Sequence, residues 1–246
     1  MMDFPFLGEV LLKLLGGLPL TLQLAALSVS LGALLALGLA LAQEGRQRAV
    51  VWPIQAFVLV FRGTPLLVQI FLIYYGLGQF RPSLQAANLW WLFREPYWCA
   101  ILALSLNTAA YGSEILRGGL QSVALGQIEA ARACGMSPWL RLRRVVLPQA
   151  IRNALPAYGN EIILMVKGTS LASVVTLMEI TGIAQSLIAQ TYRAIEIFAC
   201  AGLIYLTINF LVTRLVGWAE YALTPDRRRP AEADSKPHST PSGVSP

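Results

Sequence analysis

From Leu14 through Gln43 the chain contains no Asp, Glu, Lys or Arg, and this stretch decides what the chain can fold into. A hydrocarbon core is crossed by ~20 apolar residues in helical form, because a helix satisfies its own backbone hydrogen bonds where there is no water. Composition extends the argument to the rest of the chain: of 246 residues, 56% are hydrophobic and 13% charged, whereas soluble domains carry about 25% charged residues. The expected class is an all-α membrane protein, with one transmembrane domain over residues 1–223. A cleaved leader is the competing reading of the first stretch. Only Lys13 stands as a basic residue ahead of it, and the apolar run is far longer than the ~15 residues of a leader, so it is read as the first span.

A second apolar stretch, from Ala49 to Phe80, is interrupted at Phe61-Arg62-Gly63-Thr64-Pro65, where glycine and proline break or bend a helix. The expectation is a short interfacial helix followed by a span from about Thr64 to Gly78. A third span is expected near Tyr97 to Leu116. The fourth is expected to begin after Asn153 and to carry Glu161 and Lys167, and the fifth covers roughly Ile197 to Trp218.

Cytoplasmic loops hold an excess of Lys and Arg. Arg46, Arg48, Arg117, Arg132, Arg141, Arg143, Arg144, Arg152, Arg227, Arg228, Arg229 and Lys236 fall on one side of this five-span arrangement, against Lys13, Arg81, Arg94 and Arg193 on the other. The N-terminus is therefore expected outside and the C-terminus inside. The net charge of +6 is then an orientation signal facing anionic lipid rather than a nucleic-acid footprint. Residues 224–246, rich in Pro and Ser, read as a disordered cytoplasmic tail.

Chemistry is narrowed by what the sequence lacks. His238 is the sole histidine and lies in that tail, so neither a histidine-based triad nor an imidazole metal cluster can be assembled. Cys99, Cys134 and Cys200 stand singly in apolar contexts, without paired spacings, and read as packing residues. Lys13, Lys167 and Lys236 are the only lysines, and none sits in a glycine-rich phosphate loop. No cofactor is expected.

The connection from Leu116 to Ile151 is long, and its sequence is neither acidic nor low in complexity. Residues 122–148 read as one helix, a turn at Gly135 and a second helix. Ile128, Ala131 and Cys134 recur on one side, and Glu129 and Arg132 are spaced to support one another. Ser137 is placed to cap the second helix, with Pro138 at its first position, and Pro148 is expected to end it.

Glu129-Ala130-Ala131, three residues, Gly135, nine residues, then Val145-Val146-Leu147-Pro148 resembles the EAA loop of ABC importer permeases, with valine at position 145 where isoleucine is usual. The resemblance runs from about Leu20 to Tyr221. Arg62-Gly63-Thr64-Pro65 and the segment from Asn160-Glu161 through Lys167-Gly168-Thr169-Ser170 are similar to the polar amino acid subfamily. Glu95-Pro96, Leu104 to Tyr111 and Leu155 to Met165 look most like permeases for histidine, lysine, arginine, ornithine and opines.

The resemblance implies a type I ABC importer permease fold in a bacterial inner membrane, with no catalysis of its own. It implies two cytoplasmic ATPase subunits, a second permease, identical or homologous, and an external solute-binding protein. Glu129, Ala130, Ala131, Gly135, Leu147 and Pro148 would form the docking loop. A self-sufficient secondary transporter or channel is the alternative, opposed by the absence of an evident repeat. A membrane enzyme would need a clustered nucleophile or carboxylate site, which the chain lacks.

A charge at bilayer depth costs at least ~2.5 kcal/mol on insertion scales and faces a cavity or a partner. Arg62, Glu114, Glu161 and Lys167 are the candidates. Glu114 is expected to pair with Arg117, and mutual pairing is the competing reading for Arg62. Glu161 and Lys167, six residues apart, cannot pair along one helix face. The expectation is a translocation path lined by Arg62, Gly63, Thr64, Asn160, Glu161, Lys167, Thr169 and Ser170, with Glu161 drawing a substrate cation. Ser28, Gly32, Ala36 and Ala40 make a small-residue stripe for close packing within the subunit. Trp52, Trp90, Trp91, Trp98 and Trp218 fall near span boundaries, as interfacial aromatics do.

Overall fold

The computed structural model describes residues 4–45 and 47–223. The tail expected over 224–246 and the charge of Arg46 lie outside the described residues. Helix α1 (Phe4–Leu15) runs into α2 (Leu18–Gln43) through a turn at Gly16-Gly17, so the first apolar helical run starts earlier than Leu14. Helix α3 (Arg48–Gly63) and α4 (Leu66–Gln79) meet at 109°. Proline explains the corner. Thr64, preceding Pro65, is pushed out of the helical region and takes φ −116°, ψ 145°.

Two short helices, α5 (Arg81–Ala86) and α6 (Trp90–Phe93), lead into α7 (Pro96–Gln121). The connection that follows holds α8 (Leu125–Ala133) and α9 (Pro138–Arg141). A π-helical turn, Leu142–Val146, joins α9 to α10 (Leu147–Gly168). A 3₁₀ segment, Thr169–Val175, leads to α11 (Ile180–Thr191) and then α12 (Ala194–Leu223). Three helical runs, Pro5–Gln43, Pro96–Gln121 and Ala194–Leu223, are long and apolar enough to cross a membrane, and five if each of two bent pairs counts as one. Among the described residues the secondary structure is all helical, as expected.

Two boundaries differ from expectation. Pro148 does not end a helix; it stands in the first turn of α10, which therefore starts before Asn153. The reason is the π turn. Leu147 N–H bonds back to the Leu142 carbonyl, a wider ring that resets the ladder just where proline removes a donor. The fourth crossing is also not one rod: α10 and its 3₁₀ extension meet α11, a helix not anticipated, at 48°.

Helix α7 is the centre of the bundle. Its residues Cys99, Ala100, Ala103, Leu104, Thr108, Ala109 and Ala110 are buried, and α2 lies along it. The stripe Ser28, Gly32, Ala36 and Ala40 is buried on this contact, within the chain as expected. A Cβ on Gly32 would lie 2.5 Å from Thr108 Cβ, so only glycine lets the backbones come this close. Between apolar helices in lipid this packing, rather than expulsion of water, is what holds the pair together.

Candidate functional site

Residues 122–148 form a knob beyond the end of α7. Gly135 adopts φ +73°, a conformation costly for any residue with a Cβ. Ser137 Oγ accepts from Leu140 N–H at 3.3 Å and Pro138 opens α9, as expected. The knob is anchored by Ile128, Leu142 and Val146 packing on buried Ala40, Leu120, Val123 and Ala150. Ala131 is buried, whereas Glu129, Ala130, Gly135 and Pro148 are exposed and Leu147 is half-buried.

Two expectations fail within the knob. Cys134 is exposed, because α8 stops at Ala133 and Cys134 leaves the helical register. The packing role therefore suits Cys99, which is buried. Among the described residues Glu129 makes no ion pair with Arg132. Two large apolar side chains not singled out in the sequence, Leu125 and Trp139, are 75% and 68% exposed. A tryptophan in so basic a loop was the available signal.

Within the bundle, the α3–α4 corner faces α7 and α10. Arg62, Gly63, Thr64, Asn107, Tyr111 and Glu161 are among the residues lining a cavity of about 460 Å³. A second cavity of about 470 Å³ is lined by Gln43, Gln55, Arg62, Tyr111, Glu114 and Arg117, among others. Arg62 and Tyr111 belong to both. The Arg62 guanidinium lies 5.3 Å from the Tyr111 ring centroid, a cation–π contact. Its Nη1 is 4.0 Å from Glu114 Oε2, and Tyr111 O–H donates to the Arg62 carbonyl at 3.4 Å. Glu114 also pairs with Arg117 through bonds of 2.7 and 3.2 Å, as expected.

The structure divides the remaining candidates. Glu161 is 6% exposed and lines the cavity with Leu164, while Asn160 and Lys167 are exposed and do not line it. Thr169 Oγ1 donates to the Val166 carbonyl and Ser170 Oγ to the Lys167 carbonyl, each at 2.7 Å, closing the end of α10 where the helix narrows. Asn107, Tyr111 and Gln69 enter the site only through tertiary packing.

Glu179 is a further intramembrane carboxylate that sequence reasoning missed. It is fully buried and caps α11, accepting from Gly182 N–H at 2.9 Å, from Tyr205 O–H at 2.6 Å and from Thr21 O–H at 3.4 Å. It ties α2, α11 and α12 together away from the cavity.

Residues 7–224 match the family described as binding-protein-dependent transport system inner membrane component. The chain is 58% identical over 224 residues to the octopine transport system permease protein OccM of Rhizobium meliloti, covering 91% of each. It is 44% identical over 180 residues to the arginine ABC transporter permease protein ArtM of Escherichia coli strain K12, covering 73% of this chain and 80% of that one. The crystal structure of an amino acid ABC transporter with histidines superposes with a TM-score of 0.79 at 35% identity, over 90% of this chain and 99% of that one.

Proposed function

The chain belongs to the family of inner membrane components of binding-protein-dependent transport systems, and from that premise we propose that it conducts a positively charged polar amino acid or opine. It is a multi-pass permease subunit of an ABC importer, and ATP is hydrolysed by separate subunits. One observation supports the cargo: Arg62 and Glu161, of opposite charge, line the same cavity. An α-carboxylate would meet Arg62, and a side-chain cation would meet Glu161. Glu161 is buried, so leaving its charge without a counter-charge is costly, while Arg62, its side chain 45% exposed and 4.0 Å from Glu114, keeps part of its charge open to the cavity. Octopine and arginine permeases are the kin of this chain.

In this reading the break at Gly63 and Thr64 opens the wall of the path, and Thr169 and Ser170 fix the end of α10 against it. Asn160 and Lys167, seven residues apart, lie on an exposed strip of α10 that borders the cavity at Leu164 and turns toward a second permease subunit, identical or homologous. The knob carrying Glu129, Ala130, Ala131, Gly135, Leu147 and Pro148 docks into one of two cytoplasmic ATPase subunits, with exposed Leu125 and Trp139 supplying apolar contact. An external binding protein delivers the cargo.

Glu161→Gln in the assembled, reconstituted complex tests the path. The expected result is a roughly tenfold rise in KM for L-arginine, the loss of one charge-assisted contact, with substrate-stimulated ATP turnover falling in step. Unchanged uptake and turnover would overturn the assignment.

A further inference from the structure

Proline at the α3–α4 corner leaves backbone carbonyls without helical donors, and one side chain answers them. Gln69, 5% exposed, donates through Nε2 to the Phe61 carbonyl at 2.7 Å and to the Thr64 carbonyl and Thr64 Oγ1 at 3.0 Å each. Its Oε1 accepts from Asn107 Nδ2 at 2.9 Å. Asn107, on α7, is 7% exposed and lines the cavity that holds Glu161.

The chain of bonds has a direction. Turned over, the Gln69 amide would aim its oxygen at two backbone carbonyls, so those carbonyls fix which end of Gln69 faces α7. That end is an acceptor. It commits the NH₂ group of Asn107 to Gln69 and leaves the side-chain oxygen of Asn107 as the group free to accept from something in the cavity. The corner that carries Arg62 and the α7 position beside Glu161 are thereby held by one buried amide pair, and a satisfied buried network of this kind specifies a single arrangement.

We propose that Asn107 is a specificity-determining residue of the path, its side-chain oxygen accepting an N–H of the cargo beside Glu161, and that Gln69 is the positioning residue that sets this polarity. The proposal rests on the reading of the cavity as the translocation path. It gives the cargo's cationic nitrogen two acceptors, one charged and one neutral, on α10 and α7. A cargo that presents several N–H groups is favoured over one that presents an apolar side chain.

The test uses the whole complex in liposomes with L-arginine as the probe. Asn107→Leu keeps the branching at Cγ and removes both the acceptor and the donor to Gln69. Gln69→Glu keeps the shape and removes both donors. Each is expected to raise KM roughly tenfold, the equivalent of one lost buried hydrogen bond, with kcat little changed. The double variant should cost no more than the worse single one, since both act through one network.

A fall in the amount of assembled complex with KM unchanged would show a merely structural role and overturn the proposal. Should Gln69→Glu fail to assemble, an unchanged KM in Asn107→Leu overturns it by itself. Glu161→Gln is measured alongside. If KM rises there and not in Asn107→Leu, this proposal falls and the path stands; if KM is unchanged in Glu161→Gln, the path reading is the one at fault.

Discussion

The knob and the cavity are built by opposite means. The knob's shape is set by neighbours in sequence: the positive φ of Gly135, the cap of Ser137 and the first-turn Pro138 lie within four positions of one another. Its outward face, with Glu129, Leu125 and Trp139, makes little use of the bundle. The cavity is assembled from residues far apart in the chain, Arg62 reaching Tyr111 across 49 positions and Gln69 reaching Asn107 across 38. An exposed face of this kind can be specified locally. A polar cavity in a bilayer cannot, because every buried polar group in it needs an opposite number from another helix.

The largest effect is expected at the proposed docking face of the knob. Glu129→Arg reverses an exposed charge without touching the buried anchor of Ile128, Leu142 and Val146, so the permease should fold normally. Reversing a charge at a desolvated contact costs about 2–5 kcal/mol, enough to abolish co-purification of the ATPase subunits and with it uptake. Purification of the variant complex reads this directly. Retention of the ATPase at wild-type stoichiometry would remove Glu129 from the docking surface and leave the knob without a partner-facing charge.

A smaller and more diffuse effect is expected in the bundle. Gly32→Val places its Cβ 2.5 Å from that of Thr108, next to Asn107 on α7. Overpacking a tight contact costs about 1–3 kcal/mol, so thermal unfolding of the detergent-solubilised permease should come at lower temperature. Because α7 carries Asn107 and Tyr111, KM for the cargo should shift as well, while the ATPase remains attached. Gly38→Val, on the same helix with nothing within 4 Å of its Cβ position, is the control and should leave both readouts near wild type. Loss of ATPase binding in the Gly32 variant would show that knob and cavity are not built independently.

The same division explains what could be read from the sequence. The spans, the turn at Gly135 and the capped α9 follow from patterns confined to one segment, and so did the pairing of Glu114 with Arg117 three residues on. Periodicity predicts a helix but not which helix it meets. Nothing local in the sequence therefore joins Asn107 to Gln69, and Glu179 gives no sign that Thr21 and Tyr205 close around it. Pro148 misled for a related reason. The rule that proline ends a helix assumes an α-helical ladder before it, and the π turn at Leu142–Val146 supplies another.

The smallest expected effect lies back in the knob. Ser137→Ala removes the one side-chain bond to the start of α9, Ser137 Oγ to Leu140 N–H. Loss of such a cap costs about 1 kcal/mol, and here the site is exposed, so water takes over part of the bond. The turn at Gly135 and the apolar anchor remain, which should leave ATPase association intact. The change should appear only as faster amide hydrogen exchange over residues 138–142, by roughly fivefold for a loss of that size. If uptake collapsed together with this small local loosening, the rigidity of α9 would itself be part of how force passes from the ATPase to the bundle, and the knob would have to be regarded as a lever whose stiffness matters rather than as a docking surface alone.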